Sequence, residues 1–147
     1  MNVLPGREWE YEPDTKGHID GICFFSRPGQ VVFGLDEEMS PMMTENLHVL
    51  MRQRDAKGRK LEVVTVLNPR TKHFPKDAPI DYCSEYVQGI FVNGGFIMPA
   101  GLDVDRDIEA VRIFQGLWPD REVVMVSMKT IGYKAGGLHC MTREEPE

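Results

Sequence analysis

Short apolar runs recur along the chain and are separated by turn-forming pairs such as Pro28-Gly29 and Asn93-Gly94. Apolar runs of this length, bounded by glycine, proline or asparagine, are typical of β-strands. The pattern predicts strands at 21–24, 30–33, 61–66, 89–92, 96–98 and 122–126. The first three and the last three of these strands form two sets. In each set, apolar residues recur at helical spacing before the third strand, which predicts the order strand–strand–helix–strand.

Both predicted helices have recognisable ends. The first has Ser40 as N-cap, Pro41 at the first helical position and Gly58 as a stop. The second follows Asp103 as N-cap and ends before Pro119. Their predicted inner faces consist of Met43, Leu47, Leu50 and Met51 in the first helix, and Val104, Ile108, Val111 and Phe114 in the second.

The two sets of elements form an internal repeat, since the tripeptide Gly-Leu-Asp occurs in both, at 34–36 and at 101–103. We therefore expect a single domain over 1–147. Its predicted parts are a module at 20–67, a linker at 68–83, a module at 84–127 and a C-terminal segment at 128–147. Repeats bury their faces only against neighbours, so two modules leave open edges, and we expect a partner chain or a larger assembly.

Composition narrows the class of protein. The chain has 147 residues, of which 41% are hydrophobic, which is enough for one domain with its own core. Its formal net charge of -6 argues against nucleic-acid binding, which requires a basic face. No apolar stretch approaches the ~20 residues of a membrane helix. The N-terminus lacks the apolar region of a signal peptide, so we expect no membrane association and a cytoplasmic location.

The three cysteines, Cys23, Cys83 and Cys140, form no Cys-x-x-Cys pair, and the sequence predicts neither a disulfide framework nor a structural zinc knuckle. Cys23 lies in an apolar run and is expected to be buried, whereas Cys83 suggests no role. Cys140 follows the pair Gly136-Gly137, where the missing Cβ atoms would let a ligand approach the backbone closely.

A nucleophilic thiol needs an activating partner. His18 and Asp20 would share one face if their segment is extended, because side chains two apart then point the same way. On the same argument His139 faces away from Cys140, so His18 is the better candidate base. A surface histidine and a turn-capping aspartate would explain the same residues, and this alternative stays open.

Several segments resemble one known family, the agmatine deiminases and the related porphyromonad-type peptidylarginine deiminases. The matching segments are Pro13-Asp14-Thr15-Lys16-Gly17-His18-Ile19-Asp20-Gly21, Arg54-Asp55-Ala56-Lys57-Gly58-Arg59, Ser84-Glu85-Tyr86-Val87, Pro119-Asp120-Arg121-Glu122-Val123-Val124 and Gly136-Gly137-Leu138-His139-Cys140-Met141-Thr142. Their order and spacing fit along essentially the whole chain. The resemblance implies an α/β chain with a partial pentein fold, a five-module propeller represented here by two ββαβ modules plus flanking strands.

The resemblance also implies roles for individual residues. Cys140 corresponds to the nucleophile that attacks a guanidinium carbon, His18 to the general acid/base, and Asp20 to a carboxylate that holds guanidinium nitrogens. The implied substrate is a small cationic guanidino compound. The implied reaction forms an amidino-thioether intermediate and a ureido product, and it requires neither a metal nor another cofactor. The resemblance places Asp14, Trp9 and Gly137 at the substrate.

The chain also departs from the family pattern. The N-terminal modules, which carry a further guanidinium-binding carboxylate, are absent, so a homo-oligomer or a companion chain would have to supply them. Gln88 stands where the family more often has asparagine, and Lys134-Ala135 precedes the glycine pair where a third glycine and an asparagine are usual. Three alternatives stay open: a non-catalytic half-propeller that binds a cation or a partner chain, an amidinotransferase, and a zinc hydrolase using His18, Asp20 and His139.

Overall fold

The structure is a computed structural model that describes residues 18–134, 136–143 and 145. Its elements are β1 (Cys23–Arg27), β2 (Gln30–Leu35), α1 (Pro41–Arg52), β3 (Glu62–Leu67), β4 (Ile90–Val92), β5 (Gly95–Ala100), α2 (Val104–Leu117), β6 (Glu122–Ser127) and α3 (Leu138–Met141), with 3₁₀ turns at Ile19–Gly21, Thr71–His73, Tyr86–Gln88 and Ile131–Lys134. The predicted α/β class and both ββαβ modules are confirmed. No helix among the described residues is long and apolar enough to cross a membrane.

The two sheets have the same topology, β1-β2-β3 and β4-β5-β6. In each, the first two strands pair antiparallel and the last two pair parallel. A parallel pair needs a long crossover connection, which α1 and α2 provide. The registers also correspond, because Gln30 faces Glu62 in the first sheet and Gly95 faces Glu122 in the second. The repeat found in the sequence is therefore a structural repeat.

Helix α1 begins as predicted and ends earlier than predicted. The Ser40 hydroxyl accepts a hydrogen bond from the Met43 backbone N–H at 3.1 Å, and Pro41 opens the helix. The prediction that the helix runs to Gly58 was wrong. The chain leaves the helix after Arg52, and the Asp55 carboxylate then accepts the backbone N–H groups of two later residues to close a turn. Gly58 serves that turn with a φ of 77°.

Helix α2 spans almost the predicted residues, but the predicted inner face was only half right. Phe114 is fully buried, whereas the side chains of Val104 and Ile108 are 71% and 46% exposed. The buried positions include Asp107, because its carboxylate accepts the Tyr86 hydroxyl at 2.7 Å and the Gly101 N–H at 2.8 Å. In α1, Met51 is likewise exposed, while Asn46 is buried beside Leu50.

The core joins the two modules into one body. Helix α2 packs against its own sheet through Phe96, and Phe24 of the first module stacks on Trp118 with ring centroids 6.2 Å apart. The Trp118 indole N–H also donates to the Ser26 carbonyl of the first module at 3.3 Å. Helix α2 thus lies between two sheets. Helix α1 covers only its own sheet and leaves an open apolar groove of about 330 Å³.

The connection at 68–83 is tied to the second module. The Arg70 guanidinium binds Asp103 through two hydrogen bonds, of 2.6 Å and 2.7 Å, and the Asp103 side chain is only 1% exposed. Asp103 lies at the predicted N-cap position of α2, and its carboxylate binds Arg70. The hydrogen bonds from the Arg70 guanidinium hold the pKa of Asp103 well below its ordinary value.

Replacing Arg70 by methionine should destabilise the fold, because it leaves the buried Asp103 carboxylate without its guanidinium and with only the His73 imidazole, 3.7 Å away, beside it, at a cost of about 3 kcal/mol. Arg27→Met is the matched control, since it removes an exposed ion pair with Glu62 and should cost at most about 1 kcal/mol. Urea unfolding of both variants measures the difference.

The stability contributed by the Arg70–Asp103 pair should decrease at low pH. The folded-state pKa of Asp103 is depressed, so its contribution is fully present above the unfolded-state pKa of about 3.9. It is lost as pH falls below that value toward the folded-state pKa. The stability gap between wild type and Arg70→Met should therefore narrow as pH falls from about 4 to 3, and equal losses in Arg70→Met and Arg27→Met would contradict the assignment.

Candidate functional site

Three separate segments meet at the Cys140 sulfur. Cys140 lies in the four-residue helix α3, Asp20 in the 3₁₀ turn Ile19–Gly21, and Gln88 in the 3₁₀ turn that precedes β4. The thiol Sγ lies 3.3 Å from Asp20 Oδ2 and 3.4 Å from Gln88 Oε1. A thiol, a carboxylate and a carboxamide, distant in sequence, thus converge at one point.

His139 lies on the same side of the site, contrary to the prediction. Its Nδ1 is 2.9 Å from Asp20 Oδ2, the oxygen that the Cys140 thiol also contacts, and the imidazole remains 53% exposed. The prediction assumed an extended chain around Cys140. Residues 138–141 are helical instead, so neighbouring side chains are not turned to opposite faces. Short helices such as this one leave little periodic signal in a sequence.

The backbone after His18 is a 3₁₀ turn and not the extended segment that the sequence argument assumed. His18 precedes the 3₁₀ turn, where three residues make a turn, so the rule that side chains two apart share a face does not apply to His18 and Asp20. The His18 imidazole is exposed and makes no hydrogen bond to any described residue. Asp14 and Trp9, both predicted to contact substrate, lie outside the described residues.

Gly136 and Gly137, which precede α3, lie where a Cβ atom would overlap neighbouring side chains. A Cβ on Gly137 would lie 2.6 Å from the Gln88 Cβ, and a Cβ on Gly136 would lie 3.0 Å from the Cys140 Cβ. The space at Gly137 is therefore occupied by Gln88, so this glycine allows Gln88 and the thiol to meet. Contact of Gly137 with a substrate stays a prediction.

The charges at the site favour a protonated thiol beside an ionised carboxylate. Partial desolvation raises the pKa of the Cys140 thiol, and the negative charge of Asp20 raises it further. For Asp20, burial acts to raise the pKa, but hydrogen bonds from Cys140 and His139 outweigh it and lower the pKa. A cation placed against Asp20 would cancel the charge that opposes thiolate formation.

The other two cysteines lack this environment. Cys23 and Cys83 are buried, whereas Cys140 is exposed, and all three are free. Burial raises the pKa of Cys23 to about 11, and burial together with Glu85 raises the pKa of Cys83. Within the described ranges, no group of three or more His, Cys, Asp or Glu side chains could hold a metal ion. The thiol chemistry of the described chain is therefore centred on Cys140.

Comparison with known proteins identifies the family. The family model for the Porphyromonas-type peptidyl-arginine deiminases matches residues 4–146. The chain is 35% identical over 155 residues to the agmatine deiminase of Pseudomonas aeruginosa (strain LESB58), and 34% identical over 155 residues to that of Stutzerimonas stutzeri (strain A1501). Each alignment covers 92% of this chain and 42% of the relative.

Solved structures of agmatine deiminases are also similar to this chain. The agmatine deiminase of Enterococcus faecalis has a TM-score of 0.80 at 25% identity, with 90% of this chain and 41% of that chain covered. The C. jejuni agmatine deiminase has a TM-score of 0.67 at 19% identity over 84% of this chain and 37% of that chain, which supports the fold alone.

The chain belongs to the Porphyromonas-type peptidyl-arginine deiminase family, as the sequence resemblance indicated, and has a partial pentein fold. It spans about two fifths of the length of the curated relatives it matches.

Gly137→Ala should disturb the site through Gln88. The added Cβ overlaps the Gln88 side chain, and overpacking of this kind costs about 1–3 kcal/mol. We expect a lower melting temperature and a changed rate of Cys140 alkylation by iodoacetamide. Gly116→Ala is the control, because its Cβ would meet nothing within 4 Å in helix α2, and it should stabilise the protein by about 0.5–1 kcal/mol. Unchanged alkylation in Gly137→Ala would contradict the packing argument.

Proposed function

We propose that this chain is the C-terminal part of an agmatine deiminase-like amidine hydrolase in which Cys140 is the nucleophile. The observation that carries the proposal is the 3.3 Å contact between Cys140 Sγ and Asp20 Oδ2, made between segments far apart in the chain. Its relatives in Pseudomonas aeruginosa and Stutzerimonas stutzeri are agmatine deiminases, which supports the same reaction class. The proposed substrate is a small cationic guanidino compound, and the proposed location is the cytoplasm.

The proposed reaction begins with binding of the guanidinium against Asp20. A guanidinium stays protonated at neutral pH and is planar, so a carboxylate that accepts its N–H groups fixes both its charge and its orientation. The bound cation offsets the negative charge beside Cys140, which favours the thiolate. The sulfur then attacks the guanidinium carbon, and the tetrahedral adduct loses one nitrogen as ammonia.

The second half of the reaction regenerates the thiol. Water adds to the carbon of the amidino-thioether, the carbon–sulfur bond breaks, and a ureido product leaves. The balance is one guanidinium and one water converted to one ureido group and one ammonium ion. We propose that His18 accepts the thiol proton and delivers it to the departing nitrogen, then takes a proton from the attacking water and returns it to the sulfur as the carbon–sulfur bond breaks. No metal or other cofactor enters the scheme.

We propose that the active enzyme contains more of the propeller than this chain spans. The chain covers about two fifths of the length of its curated relatives, and among the described residues helix α1, unlike α2, packs against one sheet. The groove on α1 is lined mainly by Leu47, Met51, Leu61 and Val63, a surface that suits another module of the same repeat. We propose that a further copy or a companion chain covers it.

A second candidate function is a non-catalytic half-propeller that binds a cation or a partner chain. The exposed His18 imidazole, which makes no hydrogen bond within the described ranges, and the open groove on α1 favour this candidate. The thiol–carboxylate contact favours the enzyme.

The first test is incubation of the chain with agmatine and, separately, with arginine. We expect ureido product and ammonia from the wild type, and neither from Cys140→Ala, because the covalent step needs the thiol. Far-UV circular dichroism confirms that the variant folds. Absence of product from the wild type, together with absence of Cys140 labelling by a haloacetamidine, would favour the non-catalytic candidate.

Substituting His18 and His139 one at a time distinguishes their roles. Removal of a general acid/base typically costs 10²–10⁴-fold in rate, so His18→Gln should lower kcat by at least about 100-fold. His139→Gln should act mainly on KM, because Asp20 loses an N–H partner but keeps its charge. The measurement is the initial rate of ammonia release as a function of substrate concentration. The reverse assignment would follow from a large kcat loss in His139→Gln with His18→Gln nearly unchanged.

A further inference from the structure

Gln88 is a polar side chain that the proposed reaction has not used. The residue is only 4% exposed, yet its Oε1 lies 3.4 Å from the Cys140 sulfur. Its backbone N–H bonds to the Glu85 carbonyl at 3.1 Å, and its methylene groups fill the space beside Gly137. The carboxamide is therefore held in place from two sides and directed at the reactive sulfur.

We propose that Gln88 is a specificity-determining residue whose Oε1 accepts an N–H of the substrate guanidinium, opposite Asp20. The inference rests on the proposed function and adds a neutral substrate contact to it. The site would then bind planar cations that carry N–H groups on two sides, such as a guanidinium or amidinium group whose terminal nitrogens are unsubstituted.

The geometry supports this placement. The carbon under attack must come to about 3–3.5 Å from the sulfur, so its nitrogens fall near the groups that already touch that sulfur. Those groups are Asp20 Oδ2 at 3.3 Å and Gln88 Oε1 at 3.4 Å. A guanidinium carries N–H donors on several edges of one plane and no acceptor, so it can donate to both oxygens at once.

The lack of charge on Gln88 also fits its place beside the thiol. Asp20 supplies one negative charge, which balances one guanidinium. A second carboxylate at position 88 would add negative charge beside the thiol and disfavour the thiolate. A carboxamide oxygen accepts an N–H without that penalty. A ureido product, in contrast, turns a carbonyl oxygen toward one of the two acceptors, which repels it and favours its release.

The test compares two electrophiles that differ in charge, 2-chloroacetamidine and 2-chloroacetamide. Both reagents alkylate thiols, but only the amidine carries a planar cation. The ratio of the two alkylation rates therefore measures recognition of the cation, because a change in the reactivity of the thiol affects both rates equally. Cys140→Ser measures background from the buried Cys23 and Cys83. Gln88→Met removes the acceptor, and Gln88→Asn withdraws it by one methylene.

We expect Gln88→Met to lower the amidine-to-amide rate ratio by about tenfold, the effect of losing a hydrogen bond to a cation, and Gln88→Asn to lower it at least about twofold. Gln115→Met, the same substitution at an exposed position on α2, should leave the ratio unchanged. Asp20→Asn should lower the ratio most, because it removes the charge.

The outcomes separate the two proposals. An unchanged ratio in Gln88→Met and Gln88→Asn, alongside a lowered ratio in Asp20→Asn, would overturn the role of Gln88 and leave the proposed function standing. An unchanged ratio in Asp20→Asn would overturn the proposed function itself. If Gln88→Met fails to fold by circular dichroism, the ratio in Gln88→Asn decides alone. Equal loss of both rates in the Gln88 variants would indicate a structural role only and would also overturn the inference.

Discussion

A chain of hydrogen bonds that is buried except at Asp36 joins the two modules, and the position of the site depends on it. The Asn68 amide donates to Asp36 at 2.9 Å and accepts the backbone N–H of Tyr86 at 3.4 Å. The Tyr86 hydroxyl continues to Asp107, which also accepts the Gly101 N–H. Burial together with this carboxylate raises the pKa of the Tyr86 hydroxyl, which therefore stays neutral and remains a donor. Removal of one member would strand a buried polar partner, so the chain fixes one arrangement.

This arrangement links the core to the chemistry. Tyr86 and Gln88 share one 3₁₀ turn, so the tyrosine that is fixed in the core also fixes the carboxamide at the Cys140 sulfur. On the other side, Leu138 packs into a satellite cluster of the core and holds the start of α3. The site is thus assembled from short turns, and the two that carry Gln88 and Cys140 are each anchored by one large buried residue rather than by their own length.

The parts of the structure that local patterns specify were predictable from the sequence. The strands follow from short apolar runs between turn residues, and the start of α1 follows from Ser40 and Pro41, because capping involves residues only a few positions apart. The buried face of α2 was not predictable, since Asp107 is buried only because Tyr86 and Gly101 meet its carboxylate. The contact of His139 with Asp20 and that of Gln88 with the thiol depend on turns of three or four residues, too short to give a periodic signal, and on distant partners.

Helix α3 has a consequence for the thermal behaviour of the site. A four-residue helix has no stability of its own, so it depends on the packing of Leu138, on its contacts with Asp20 and Gln88, and on the Thr142 hydroxyl bonded to the Leu138 carbonyl. Such segments open locally at a lower free energy than the core unfolds. On warming, the thiol would leave its carboxylate while both sheets remain intact, so loss of chemical competence would precede melting. A ligand that bridges Asp20 and Cys140 would delay this loss.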